Sequence, residues 1–155
     1  MSKGINKKSW FVIGIMSGTS LDGVDMVYCL LEKKEKWTYK ILKAKTFCYS
    51  EQKKEQLKNL FFSREKELIE ESVIYGSFLA NLVLQFKKMY NIKKIDCISS
   101  HGHTIFHEPK KRITVQIGDG QTIANITRSI TVSDFRAQDV LMGGQGAPLV
   151  PVGDK

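Results

Sequence analysis

Apolar residues recur along this chain in two rhythms, and the change from one to the other marks out its elements. Trp10-Phe-Val-Ile-Gly-Ile-Met16 is a short, nearly continuous apolar run with β-branched and aromatic members, bounded by a polar loop, which predicts a buried strand. Val24 to Leu31 alternates loosely and predicts a second strand; after the charged turn Lys33 to Lys36, Trp37 to Tyr49 predicts a third. Strand, tight polar loop, strand is the order of an antiparallel hairpin, with Ser17-Gly-Thr-Ser-Leu-Asp-Gly23 at its tip.

The rhythm then lengthens. Glu51 to Leu60 predicts a helix, and Ser63 is the expected N-cap of another, with Glu65 and Glu67 in its first turn. Behind them Leu68, Ile69, Val73, Phe78, Leu79, Leu82, Val83, Phe86 and Met89 recur at three- and four-residue steps, the stripe of an amphipathic helix. Lys87 and Lys88 suit its C-terminal dipole, and Asn91 can stop it. Ile95 to Ser99 and Ile113 to Ile117 predict strands, Asp119 to Thr127 a short helix, and Ile130 to Ser133 a last short strand. This alternation favours an α/β sheet with helices packed on it. The chain then enters Gly143-Gly-Gln-Gly-Ala-Pro-Leu-Val-Pro151, a glycine- and proline-rich run holding apolar residues, which is expected to lead into a further part of the protein.

Composition narrows the picture. With 155 residues, 42% of them hydrophobic, the chain can bury one core and not two full-sized ones. No apolar run approaches the roughly 20 residues of a bilayer span, and the short run after the basic N-terminus leads into a polar loop instead of a cleavage site, so neither a membrane nor a signal peptide is expected. Cys29, Cys48 and Cys97 are far apart among apolar residues, without CxxC spacing, which fits reduced thiols in a cytoplasmic protein. The net charge of +8 invites a nucleic-acid reading. Its lysines, however, fall in scattered pairs beside glutamates, as on solvated faces, and no nucleic-acid partner is expected.

Three places could carry chemistry. The loop after the first strand gathers glycines, hydroxyls and Asp22; backbone N–H groups bared by glycine can approach a phosphate, and the carboxylate suits Mg²⁺ held through water. It has neither the P-loop lysine nor the dinucleotide glycine spacing, and an ordinary hairpin turn would use the same residues. His101, His103 and His107 cluster beside Glu108; a metal is conceivable, but Gly102 and Thr104 suit a polar loop facing a ligand better. Asp134, Arg136 and Asp139 set two carboxylates around a guanidinium, either a structural ion pair or a clamp on sugar hydroxyls.

Together these motifs resemble one family. Ile13-Gly-Ile-Met-Ser-Gly-Thr-Ser-Leu-Asp-Gly-Val-Asp25 is similar to the ATP-binding signature of anhydro-N-acetylmuramic acid kinases. Ser100-His-Gly-His-Thr-Ile-Phe-His-Glu-Pro109, Thr114-Val-Gln-Ile-Gly118, Ser133-Asp-Phe-Arg-x-x-Asp-Val140 and the run from Gly143 to Pro151 follow in the family's order. His103 departs from the family's usual glutamine. The resemblance implies a ribonuclease H-like, actin-like ATPase lobe, an α/β mixed sheet with an N-terminal antiparallel hairpin and packed helices. Residues 1–155 would be the N-terminal lobe of a two-lobed sugar kinase. It implies ATP at Gly18, Thr19, Ser20, Leu21, Asp22, Gly23, Val24 and Asp25, with Asp22 on Mg²⁺ through water. The sugar is expected near Ser100, His101, His103, Asp134, Arg136 and Asp139. The implied reaction opens the 1,6-anhydro bridge of anhydro-N-acetylmuramic acid with water and phosphorylates O6, recycling cell-wall fragments. The family's general base is an aspartate in an F-D-T-G-P-G-N-like segment of the second lobe, so no catalytic base is expected in these residues. An inactive nucleotide- or sugar-binding fragment is the alternative, and an exposed lobe face near Leu141, Leu149 and Val150 would favour self-association.

Overall fold

The computed structural model describes residues 8–147. Strand β1 (Ser9–Ser17) pairs antiparallel with β2 (Gly23–Lys33), which pairs antiparallel with β3 (Trp37–Cys48). Helix α1 (Glu51–Asn59), a 3₁₀ turn (Leu60–Phe62) and the long α2 (Glu65–Met89) follow. Next come β4 (Cys97–Ser100), β5 (His103–Glu108), β6 (Ile113–Ile117), α3 (Gly120–Thr127), β7 (Thr131–Val132) and α4 (Phe135–Leu141). The main sheet runs in the order β3-β2-β1-β4-β7, its last two strands parallel to β1, while β5 and β6 form a separate antiparallel hairpin.

Strand alternation sets the two faces of this sheet. Ile13 and Ile15 of β1, with Val24 and Met26 of β2 and Ile98 of β4, are buried with Tyr75, Leu79, Val83 and Phe86 of α2. Each such side chain contributes about 1.5–3 kcal/mol by leaving water. Gly14 and Met16 face the other way and help line a cavity. Edge strand β3 is mostly exposed, and its Lys40, Lys43 and Lys45 discourage pairing with another chain.

The ends of α2 show local chemistry at work. Its N-cap is Arg64 and not the expected Ser63, whose N–H is taken by Leu60 O at 3.1 Å to close the 3₁₀ turn; Arg64 N–H then donates to Glu67 Oε2 at 2.9 Å. At the C-terminus Asn91 takes the left-handed conformation (φ 51°), its N–H donating to Lys88 O and that of buried Ile92 to Lys87 O at 2.9 Å. That is a Schellman stop, with Asn91 in the place usually held by glycine. Two elements lie outside the expected set, β5 and α4, and both matter to the site.

Candidate active-site cleft

The β1–β2 ladder runs to the Ser17/Val24 pair, so Gly18 to Asp22 form the hairpin tip. Leu21 N–H donates to Gly18 O at 3.3 Å, and Leu21, at φ 56°, turns its side chain onto the core. That anchor leaves Thr19, Ser20 and Asp22 outside, in solvent. Ser20 Oγ donates to Asp22 Oδ1 at 2.8 Å, and Asp22 O accepts from Tyr49 N–H at 3.4 Å. The Ser20 hydroxyl, with backbone N–H groups, holds the Asp22 carboxyl below its ordinary range, so it is ionised at neutral pH. Gly23 is required by close approach: a Cβ there would collide with the Phe47 carbonyl oxygen of β3. Of the eight residues expected at ATP, Gly18 to Asp22 make the tip and Gly23 opens β2. Val24 is buried in the core, and Asp25 lies on the opposite face, where Thr46 Oγ1 donates to its Oδ1 at 2.5 Å.

A small cavity of about 170 Å³ separates this tip from β5, lined by Thr19, Leu21, Leu57, Lys58, Phe61, His103, Thr104 and Ile105. His103 is buried, packs its ring edge-on against Tyr75, and has no hydrogen-bond partner at Nδ1. Burial, and then the neighbouring His101, push its imidazole down to about 4. It is therefore neutral at pH 7 and cannot act as a phosphate-binding cation. Lys58 supplies the positive charge beside this cavity, a role the sequence pattern did not suggest because it sits among solvated lysines of α1.

The second cavity, about 540 Å³, lies on the face of the sheet away from α2, between β1, β2 and β4 and the short helix α4. His101 and Arg136 line it together with Asp25. His101 N–H donates to Ile15 O at 3.1 Å, extending the β1–β4 ladder. Its Nδ1 lies 2.9 Å from Gly102 O and its Nε2 lies 2.6 Å from the Arg136 guanidinium. A guanidinium only donates, so Nε2 accepts and Nδ1 carries the proton that Gly102 O receives. Burial lowers the His101 imidazole, the Gly102 carbonyl raises it and the Arg136 charge lowers it again, which keeps the ring neutral.

The expected grouping of two carboxylates around Arg136 does not form: among the described residues no ion pair joins Arg136 to Asp134 or Asp139. Asp139 Oδ2 instead accepts from Gly146 N–H at 2.7 Å, closing the turn after α4, and exposed Asp134 precedes that helix at φ 58°. Ser100 is buried with its Oγ unpartnered. The sugar-side set thus divides: His101 and Arg136 touch, Ser100 and His103 face inward, and Asp134 and Asp139 shape α4 and its exit. The three histidines take different partners, His107 facing Thr114, and no three His, Cys, Asp or Glu among the described residues gather to hold a metal. Leu141 is exposed, as expected; Leu149 and Val150 lie outside the described residues.

Beneath the loop is a buried layer, of which the motifs named only Ser17, and that as a member of the exposed loop. Ser17 is fully buried, and its Oγ donates to Gly102 O at 2.9 Å. The Tyr49 and Tyr75 hydroxyls lie 2.5 Å apart and both interact with that serine hydroxyl. The signal for its burial was the alternation of β1, which turns Ser17 to the side of Ile13 and Ile15.

A mixed α/β sheet with packed helices, carrying a glycine- and hydroxyl-rich loop between its first two strands and a cavity on each side, is consistent with an α/β kinase lobe. The family model for anhydro-N-acetylmuramic acid kinase matches residues 10–155, and the chain belongs to that family. It is 38% identical to the anhydro-N-acetylmuramic acid kinase of Pseudoalteromonas translucida, covering 96% of this chain and 40% of the relative. The kinase of the same name from Caldanaerobacter subterraneus subsp. tengcongensis is 37% identical, covering 94% of this chain and 40% of the relative. That from Vibrio cholerae is 38% identical over 90% of this chain and 39% of its own length. The chain thus spans about 40% of the length of the curated relatives it matches. Among the described residues no helix is long and apolar enough to cross a membrane.

Proposed function

We propose that residues 1–155 form the N-terminal lobe, of the ribonuclease H-like and actin-like kind, of an ATP-dependent kinase acting on 1,6-anhydro-N-acetylmuramic acid. The observation that carries this reading is the loop Gly18 to Asp22, held out from the tip of the first hairpin of a β3-β2-β1-β4-β7 sheet in a chain of this family. In the complete reaction water adds across the 1,6-anhydro bridge and the γ-phosphate passes to the freed O6, giving N-acetylmuramic acid 6-phosphate and ADP.

Each side of the lobe has a part. Backbone N–H groups of Gly18 to Gly23 and the hydroxyls of Thr19 and Ser20 bind phosphate oxygens, with Lys58 adding charge at the rim. Asp22 fits a water-held Mg²⁺, being ionised, exposed and oriented by Ser20. When bound, the cation neutralises phosphate charge. On the other face His101 and Arg136 orient the sugar, and positioning of the two reactants supplies much of the rate. No F-D-T-G-P-G-N-like segment occurs within residues 1–155, so the base that activates water is assigned to the second lobe.

The direct test is calorimetry with this chain, titrating Mg²⁺–ATP and the anhydro sugar separately, beside a mass-spectrometric assay for the 6-phosphate. Binding of nucleotide without turnover is the expected result. Turnover near that of a two-lobed relative would place the base within these residues, and no binding of either ligand would overturn the reading.

A further inference from the structure

We propose that Ser17 is a positioning residue: through Gly102 it sets the imidazole of His101, and through that ring the guanidinium of Arg136, tying the phosphate loop to the sugar wall. The proposal rests on the functional reading above, and its geometry is a continuous chain of contacts. Ser17 Oγ and His101 Nδ1 both reach Gly102 O at 2.9 Å, and Arg136 meets His101 Nε2 at 2.6 Å. Two donors fix one carbonyl, so that carbonyl cannot rotate without breaking both bonds.

The surroundings make the link stiff. Gly102 sits at φ 71°, where an added Cβ would collide with Ile117 O of β6, so the segment is clamped between β1 and β6. Tyr49 and Tyr75 brace Ser17 from behind, and Tyr49 N–H also holds Asp22 O. Ser17 itself directly precedes Gly18, the first residue of the loop tip. A displacement of the loop when phosphate binds therefore bears on Ser17 and Tyr49 together. It reaches Arg136 through hydrogen bonds made by side chains already fixed in place. Ser17 touches neither expected ligand, and its role is exerted through His101. A simple core hydroxyl would need one partner; that of Ser17, on β1, meets three groups, from the β3–α1 connection, α2 and the β4–β5 connection.

The test uses the whole chain, isotope-labelled, and reads the histidine ring nitrogens by NMR. In the parent, His101 should be held largely as the Nδ1–H tautomer. Ser17→Ala should shift that tautomer ratio about threefold or more, within what one hydrogen bond can enforce. Ser17→Thr, which keeps the hydroxyl, should restore it. If Ser17→Ala does not fold, Tyr75→Phe removes one oxygen from the same brace and should move the ratio in the same direction. A second arm adds a non-hydrolysable Mg²⁺–ATP analogue. In the parent the Gly18 to Gly23 amides and the Arg136 Nε–H signal should both move; in Ser17→Ala the loop should still respond while the Arg136 response falls at least twofold, in proportion to the lost link. An unchanged His101 tautomer in the folded variants would overturn the proposal. Loop amides that ignore the nucleotide would instead refute nucleotide binding, leaving the ligand-free His101 result to decide the role of Ser17.

Discussion

His103 is a neutral ring held where water cannot solvate its charge, and this makes the stability of the protein fall in mild acid. In the unfolded chain the imidazole binds a proton near 6.5, whereas burial in the fold lowers it to about 4. Between those values the unfolded state takes up more protons, so unfolding becomes easier as pH drops through the window. Moving from pH 7.5 to pH 5 should cost about 2 kcal/mol from this group, or between about 1 and 2 once partial screening is allowed for. His103→Gln removes the titration and keeps a side chain that can hydrogen-bond. Urea unfolding of parent and variant at both pH values gives the answer, because titrating groups that do not interact with His103 cancel in the comparison, and His101, the smaller cause of its shift, is a minor correction. The parent should lose that much more stability than His103→Gln. Equal losses would show that His103 is solvated or charged in the fold, and would reopen it as a phosphate-binding cation.

Further outcomes follow from the same geometry. Asp22→Asn should weaken Mg²⁺-dependent nucleotide binding about tenfold while leaving the unfolding midpoint within error, as checked by calorimetry with and without Mg²⁺. Arg136→Ala should chiefly weaken sugar binding and spare nucleotide affinity; the reverse split would mean that the two sides of the cleft are interchanged. Gly102→Ala should destabilise the chain by about 2 kcal/mol or more in urea unfolding, since its φ and its contact with Ile117 O both exclude a Cβ. Ser50→Ala should cost about 1 kcal/mol, the worth of the cap in which its Oγ accepts Lys53 N–H at 3.2 Å.

The elements that sequence rhythm captured are those whose burial is one-sided and long. Strand β1 follows its apolar pattern closely, and α2 does so at Leu79, Val83 and Phe86, which pack on the same core, whereas Ile69, Val73 and Met89 of its expected stripe are exposed. The β5 strand escaped because His103 to Glu108 mixes polar and apolar residues behind a glycine, and its partner β6 decides its conformation instead of its own propensity. The α4 helix is only seven residues, too short for a period to show, and follows Asp134 in a left-handed conformation. The site was legible as motifs and not as contacts. That Gly18 to Asp22 form a loop could be read from their glycines and hydroxyls. That Arg136 reaches His101 and not Asp139 could not, because the turn closed by Gly146 N–H engages the Asp139 carboxylate from seven residues further on.

Alternation along β1 explains how one short strand serves both halves of the cleft. Odd positions Ile13, Ile15 and Ser17 turn toward α2, while even positions Gly14 and Met16 turn toward the cavity under α4. Parallel β4 brings His101 beside the end of β1, where its N–H takes Ile15 O. The chain then crosses from one face to the other at Gly102, and only glycine permits that crossing at φ 71° with β6 so close. Two side chains two residues apart thus serve different surfaces: His103 toward the cavity beside the hairpin tip, His101 toward the larger one. A polar group is needed where the crossing meets the core, since the Gly102 carbonyl would otherwise lose a donor out of reach of water. Ser17 supplies that donor from the last position of β1, one residue before the loop begins. Its placement follows from the strand period: one residue inserted or deleted within β1 would turn this position away from Gly102.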